Sequence, residues 1–297
     1  RTILQYSLFM LFLATNLMSG QANNKIANRD TMVWMCLERC DISSTEVATN
    51  LKVVENHAKT SLTSISYELY NLGASSSLIL NRDLTQVHSF VKNIIGAHGT
   101  PLKTYPMISS YPYPPEMIHW MRDVFANPDP FVQQLVNYAS TYGYTGYNLD
   151  LEPVDGVTKQ DGINYAKFVD YVAQNLHRHN IELQVCVSTW SPLWNFTALA
   201  ETHVDRIMTM STYTGNQDTF NKKFDQALSE IGVSKWGLGM MLNDTSTKKP
   251  MLASKIQERF ERVHEHDVEL VSLWRMTNPA DEIDPWLNAY QNYLLGH

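Results

Sequence analysis

Eight short runs with strand-like patterning, separated by stretches with helical apolar spacing, restrict what this chain can fold into more than any other feature. The strand-like runs cover residues 32–37, 61–70, 103–108, 146–152, 183–187, 206–210, 236–242 and 269–275. Helical spacing marks 43–57, 84–95, 116–125, 130–142, 162–179, 220–231, 254–264 and 285–294. Two stripes carry that spacing most plainly: Val87, Phe90, Val91, Ile94 and Ile95, then Tyr165, Phe168, Val169, Val172 and Leu176. The proline-rich 111–115 reads as a loop. Strands joined through helices lie parallel, and eight of them close into a barrel. The expectation is an α/β chain forming a single (β/α)8 TIM-type barrel over residues 22–297. The interval between the seventh and eighth strands is too short for a large α+β insertion. In such a barrel the chemistry sits at the C-terminal ends of the strands.

The fourth run ends with the most informative pattern, Gly146-Tyr147-Asn148-Leu149-Asp150-Leu151-Glu152-Pro153. In a strand, successive side chains point to opposite faces. Tyr147, Leu149 and Leu151 then share one face, and Asn148, Asp150 and Glu152 the other. A barrel interior prefers bulky apolar layers, so a polar row there has to be used or satisfied. Carboxylates two residues apart stand about 6–7 Å apart at their Cα atoms. At that range each raises the proton affinity of the other, a route to an acid still protonated near neutral pH. The plain alternative is a strand edge whose acids face water, and the alternation by itself does not separate the two.

The same residues resemble the signature of glycoside hydrolase family 18, the chitinases and endo-β-N-acetylglucosaminidases, which reads Asp-Gly-x-Asp-x-Asp-x-Glu. Here the frame reads Thr145-Gly146-Tyr147-Asn148-Leu149-Asp150-Leu151-Glu152. The glycine, last aspartate and glutamate match, while Thr145 and Asn148 depart. The di-N-acetylchitobiase branch also carries asparagine at that second position. Val271-Ser272-Leu273-Trp274 resembles the family's last strand, whose tryptophan floors the cleaved sugar. The segment from Met208 to Tyr213 resembles the one that places a tyrosine near the acetamido group. Its register admits Thr212, or Ser211 with Tyr213; Tyr213 is preferred because a phenol is needed. The family's glycines after the third strand are replaced by Ser109-Ser110.

The resemblance implies a glycosidase for β-1,4-linked N-acetylglucosamine. Glu152 would act as the acid, and Asp150 would polarise the substrate's acetamido group as that group attacks the anomeric carbon. Tyr213 would bond the acetamido oxygen, and Asn148 would bond Asp150 from behind. Trp274 and Ser211 would contact substrate. Trp190, like Trp194, Tyr111 and Tyr113, falls in a loop after a strand and could line a sugar subsite. Missing the α+β wall, the groove would be shallow and suit short or branched glycans.

The remaining features set bounds. A net charge of −7 gives no sign of the basic face that binding nucleic acid would need. Arg1-Thr2, an apolar run over 3–18 and small residues after it predict a signal peptide at 1–21, with a signal anchor as the lesser alternative; the first implies a secreted or endolysosomal protein with no membrane segment after processing. The sequons at Asn195 and Asn243 fit that compartment. Of the cysteines, Cys36 and Cys40 are spaced to bridge or to stay as two thiols, and Cys186 reads as a small buried apolar residue. The pairs His177/His179 and His264/His266 would diverge on a helix, and no metal or other cofactor is called for. Two rivals remain: a glycan-binding lectin that keeps the groove without turnover, and a metal site at Asp150 and Glu152. For the metal site, Glu182 and Glu269 fall at the wrong strand ends.

Overall fold

A computed structural model describes residues 28–81, 84–153, 155–276 and 280–297. The expected signal segment therefore lies outside the described residues. The strands are β1 (Asp30–Met35), β2 (Ser64–Leu72), β3 (Leu78–Leu80), β4 (Lys103–Ser109), β5 (Gly146–Asp150), β6 (Glu182–Val187), β7 (Arg206–Thr209), β8 (Trp236–Met241) and β9 (Leu270–Trp274). All but β3 pair in parallel, and the ring closes where β1 meets both β2 and β9. The helices are α1 (Ser44–Ser61), α2 (Thr85–Val91), α3 (Met117–Ala126), α4 (Asp129–Tyr142), α5 (Lys159–His177), α6 (Phe196–Ala200), α7 (Gln217–Glu230), α8 (Ala253–Glu265) and α9 (Ala280–Leu295). The fold is a (β/α)8 barrel, and only α8 with its loops lies between β8 and β9.

Two apolar layers hold it. Outside the strands, a continuous core joins strand residues such as Tyr147, Leu149 and Leu151 to the helices. The α5 stripe of Tyr165, Phe168, Val169, Val172 and Leu176 is buried in full. Each such side chain contributes on the order of 1.5–3 kcal/mol by leaving water. Inside the barrel a smaller cluster of Met32, Trp34, Tyr105, Met107, Cys186, Met208 and Leu270 fills the lumen. α5 starts at a capping box in which Thr158 and Asp161 satisfy one another's backbone, and Arg122 clamps the Asp161 carboxylate. That clamp anchors the segment leading out of β5.

The structure departs from the sequence reading in several places. α2 stops at Val91, not at residue 95, because the chain must reverse to enter β4. Ile95 pairs antiparallel with Pro101, and Gly99 takes a left-handed φ of 73° in the turn. Phe90 and Ile95, expected on the buried stripe, are consequently 37% and 38% exposed. β3 was not expected; it adds antiparallel to the far end of β2, where a bulge between Glu68 and Tyr70 shifts the register. α6 was also not expected, and its N-cap is Asn195.

Candidate active site

β5 carries its side chains as the alternation requires. On the outer face, Tyr147 donates from its hydroxyl to the Leu135 carbonyl of α4 at 2.7 Å. On the inner face, Asn148 is buried in the lumen, while Asp150 and Glu152 reach a cleft of about 340 Å³ above it. Gly146 permits this seating: a Cβ there would fall 2.3 Å from the Glu182 carbonyl oxygen of β6. Ser110, at a position where the family pattern has glycine, fixes Glu152 by its backbone. Its Oγ accepts from the Glu152 N–H at 2.8 Å and donates to the Glu152 carbonyl at 2.9 Å.

Arg39, in the loop after β1, dominates the electrostatics and was missed in the sequence. Its Nη2 donates to Asp150 Oδ2 (2.7 Å) and Ser109 Oγ (2.8 Å). Its Nη1 donates to Glu152 Oε1 (3.0 Å) and the Tyr113 hydroxyl (3.2 Å). Its Nε pairs with Glu68, and the guanidinium lies over the Trp274 ring, 5.5 Å from the centroid. Glu68 Oε2 also accepts from the backbone N–H groups of Leu37, Glu38 and Arg39 at 2.7, 2.6 and 3.2 Å. Cys36 and Cys40, which bracket these residues, are joined by a disulfide. The one local signal was an arginine inside a Cys-x-x-x-Cys ring at the end of a barrel strand.

Burial, foremost, and then the charge of Asp150 push the Glu152 carboxyl up to about 7, against the opposing pull of Arg39. Burial disfavours charge on Arg39, but Asp150 and Glu68 more than offset it and raise its proton affinity, so it stays a cation. Asp150 Oδ1 is buried with no hydrogen-bond donor among the described residues. The result is a carboxylic acid that can still carry a proton near neutrality, beside an acceptor oxygen left open.

The other expected site residues divide. Trp274 and Tyr213 line the cleft, both edge-on to Trp34 at 6.4 Å. Burial drives the Tyr213 phenol well above its usual range, which keeps it a donor. Thr212 points away, its hydroxyl donating to the Gly239 carbonyl at 2.6 Å. Ser211 does not line the cleft. A turn from Met210 to Tyr213, closed by a 3.0 Å bond, brings those two to the cleft and leaves the Ser211 hydroxyl buried without a partner. Trp190 stands at the rim, 57% exposed and edge-on to the buried Trp194.

Asn148 requires a correction, because its amide does not bond Asp150. Its Oδ1 accepts from Trp34 Nε1 (3.3 Å) and the Cys186 thiol (3.2 Å), and its Nδ2 donates to Gln184 (3.3 Å). The inward side chains of β1 and β6 come closer to it than Asp150, which lies a full strand repeat above. Of the sequons, Asn195 is exposed, whereas Asn243 is half-buried with its Oδ1 enclosed. Thr145 lies below the site, where its hydroxyl accepts from the Thr104 N–H at 3.0 Å.

No family model matches the sequence. No curated protein sequence matches it. Solved structures do match. The spore cortex-lytic enzyme SleL of Bacillus megaterium QM B1551 superposes with a TM-score of 0.70 at 14% identity, over 89% of this chain and 74% of that one. A chitinase from Chromobacterium violaceum ATCC 12472 gives 0.69 at 14% identity, over 90% and 99%. A GH18 chitinase from the chitin utilization locus of Flavobacterium johnsoniae gives 0.64 at 14%, over 88% and 94%. The fold is that of these chitinases; at such identities the likeness is one of fold.

Proposed function

We propose that this chain is a retaining glycosidase that cleaves β-1,4-linked N-acetylglucosamine in chitooligosaccharides or N-glycan cores, with the substrate's acetamido group as nucleophile. The observation that carries the reading is Glu152: an acid held near 7 at the end of the fourth barrel strand, beside Asp150 and across from an aromatic floor. Glu152 delivers its proton to the glycosidic oxygen as the bond to the anomeric carbon breaks. The acetamido oxygen attacks that carbon from the other face, forming a cyclic oxazolinium. Asp150 accepts the amide N–H, and Tyr213 donates to the acetamido oxygen. Water then opens the ring, giving its proton to Glu152. Glu68, the further carboxylate nearby, is taken up by Arg39 and three backbone N–H groups, which leaves it unsuited to nucleophilic attack. This is the substrate-assisted exception to the two-carboxylate scheme. Export through a secretory or lysosomal route completes the proposal, and the Cys36–Cys40 disulfide supports an oxidising compartment.

Binding without turnover is the second reading, and one observation favours it: Arg39 bridges both carboxylates and covers part of the Trp274 face. Fluorogenic chitobiosides and chitotriosides separate the two. Wild type should hydrolyse them with or without chelator. Glu152→Gln should lose roughly 10²–10⁴-fold or more in turnover while still binding the oligosaccharide. Binding by wild type with no turnover would establish the lectin reading instead.

A further inference from the structure

Arg39 is held from behind before it touches the site. Its loop is closed into a ring by Cys36–Cys40, Leu37 is buried beneath it, and Glu68 gathers the backbone N–H groups of the loop. In front, the planar fork spans Asp150, Ser109 and Glu152. Besides Arg39, among the described residues only the protonated carboxyl of Glu152 shares a side-chain hydrogen bond with Asp150. Asn148, its neighbour on the same face, spends its amide on Trp34, Cys186 and Gln184. A guanidinium suits such a place because it keeps its charge and grips planar carboxylates along fixed directions.

We propose that Arg39 is the positioning residue of this site: its guanidinium fixes Asp150 toward the acetamido group and holds Glu152 within reach of the glycosidic oxygen. The inference rests on the reading of Glu152 as the acid. Besides Asp150 and Glu152, the titratable groups around the fork are Glu68 from β2, Tyr113 from the loop after β4, Cys186 from β6 and Tyr213 from the turn after β7. Burial keeps the thiol and the Tyr113 and Tyr213 phenols neutral, so the charges coupled here are those of Arg39 and three carboxyls.

Carboxyl carbon NMR titration, with Glu152→Gln assigning the resonance, tests this beside steady-state kinetics on a fluorogenic chitobioside. In Arg39→Met the titration step of Glu152 should rise by about one unit or more, because the cation that favours its ionised form is gone. Its kcat should fall at least roughly tenfold with little change in KM, the mark of a contact that matters in the transition state. Arg39→Lys keeps the charge and loses the fork, so its titration should stay near wild type while kcat falls. An unmoved titration in Arg39→Met, or a loss confined to KM, overturns the proposal. If Arg39→Met does not fold, wild-type kcat in Arg39→Lys overturns it equally. A wild type with no turnover, whose pair still responds to Arg39, would sink the hydrolase reading and leave the hold on the carboxylates supported.

Discussion

At the scale of single residues, Glu152 sets the pH behaviour. Its carboxyl is raised from 4.5 to about 7 by burial and by Asp150, so it binds a proton more tightly folded than unfolded. Its contribution to stability is therefore present below about pH 4.5 and is lost as pH rises through about 7. On the proposed function, the same proton is the one delivered to substrate. The kcat/KM profile should bend downward on the alkaline side near pH 7 and then fall about tenfold per unit. A profile flat well above neutrality would show that Glu152 is not the acid. The pairing of Asp150 with Glu152 was legible because a strand has a period of two, so local sequence records its faces. Arg39 was not legible. Its partners Glu68, Ser109, Asp150 and Glu152 lie 29 to 113 positions away, and no local pattern encodes such a meeting. In the sequence Ser109 and Ser110 read only as replaced glycines, and the contacts of their hydroxyls with Arg39 and the Glu152 backbone were illegible for the same reason.

At the scale of elements, the site depends on how strand ends are finished. β5 is aimed by the close approach at Gly146, and its last acid is pinned by Ser110 from the end of β4. β1 is finished by the disulfide ring, against which Arg275, just after β9, lays its guanidinium. Closing so small a ring stabilises the fold by about 2 kcal/mol in the chain-entropy account. The double variant Cys36→Ser/Cys40→Ser should therefore unfold in urea with stability lower by about that amount, and its turnover should drop as Arg39 loses its support. Unchanged stability and turnover would show that Glu68 alone secures the loop. The long, regular elements were readable from periodicity, as the fully buried α5 stripe demonstrates. The end of α2, the bulge in β2 and the short β3 were not, since each answers to neighbours remote in sequence.

At the scale of the whole molecule, the barrel brings strand ends from β1, β4, β5, β6, β7 and β9 to one cleft, where burial and Asp150 raise the Glu152 carboxyl to about 7. Only α8 with its loops lies between β8 and β9, and on the proposed function a cleft without an α+β wall there would suit short or branched glycans over a threaded polymer. Among the described residues the carboxylates lining the cleft are Asp150 and Glu152, both at the end of β5, and on the proposed function neither is the nucleophile. The account therefore requires that substrate bring its own nucleophile. Proton NMR of the first-formed product from an N-acetylchitooligosaccharide, followed before mutarotation, measures this most directly. The prediction is retention at the anomeric carbon, with little cleavage of the matched 2-hydroxyl glucoside. Inversion, or equal rates on the glucoside, would contradict it.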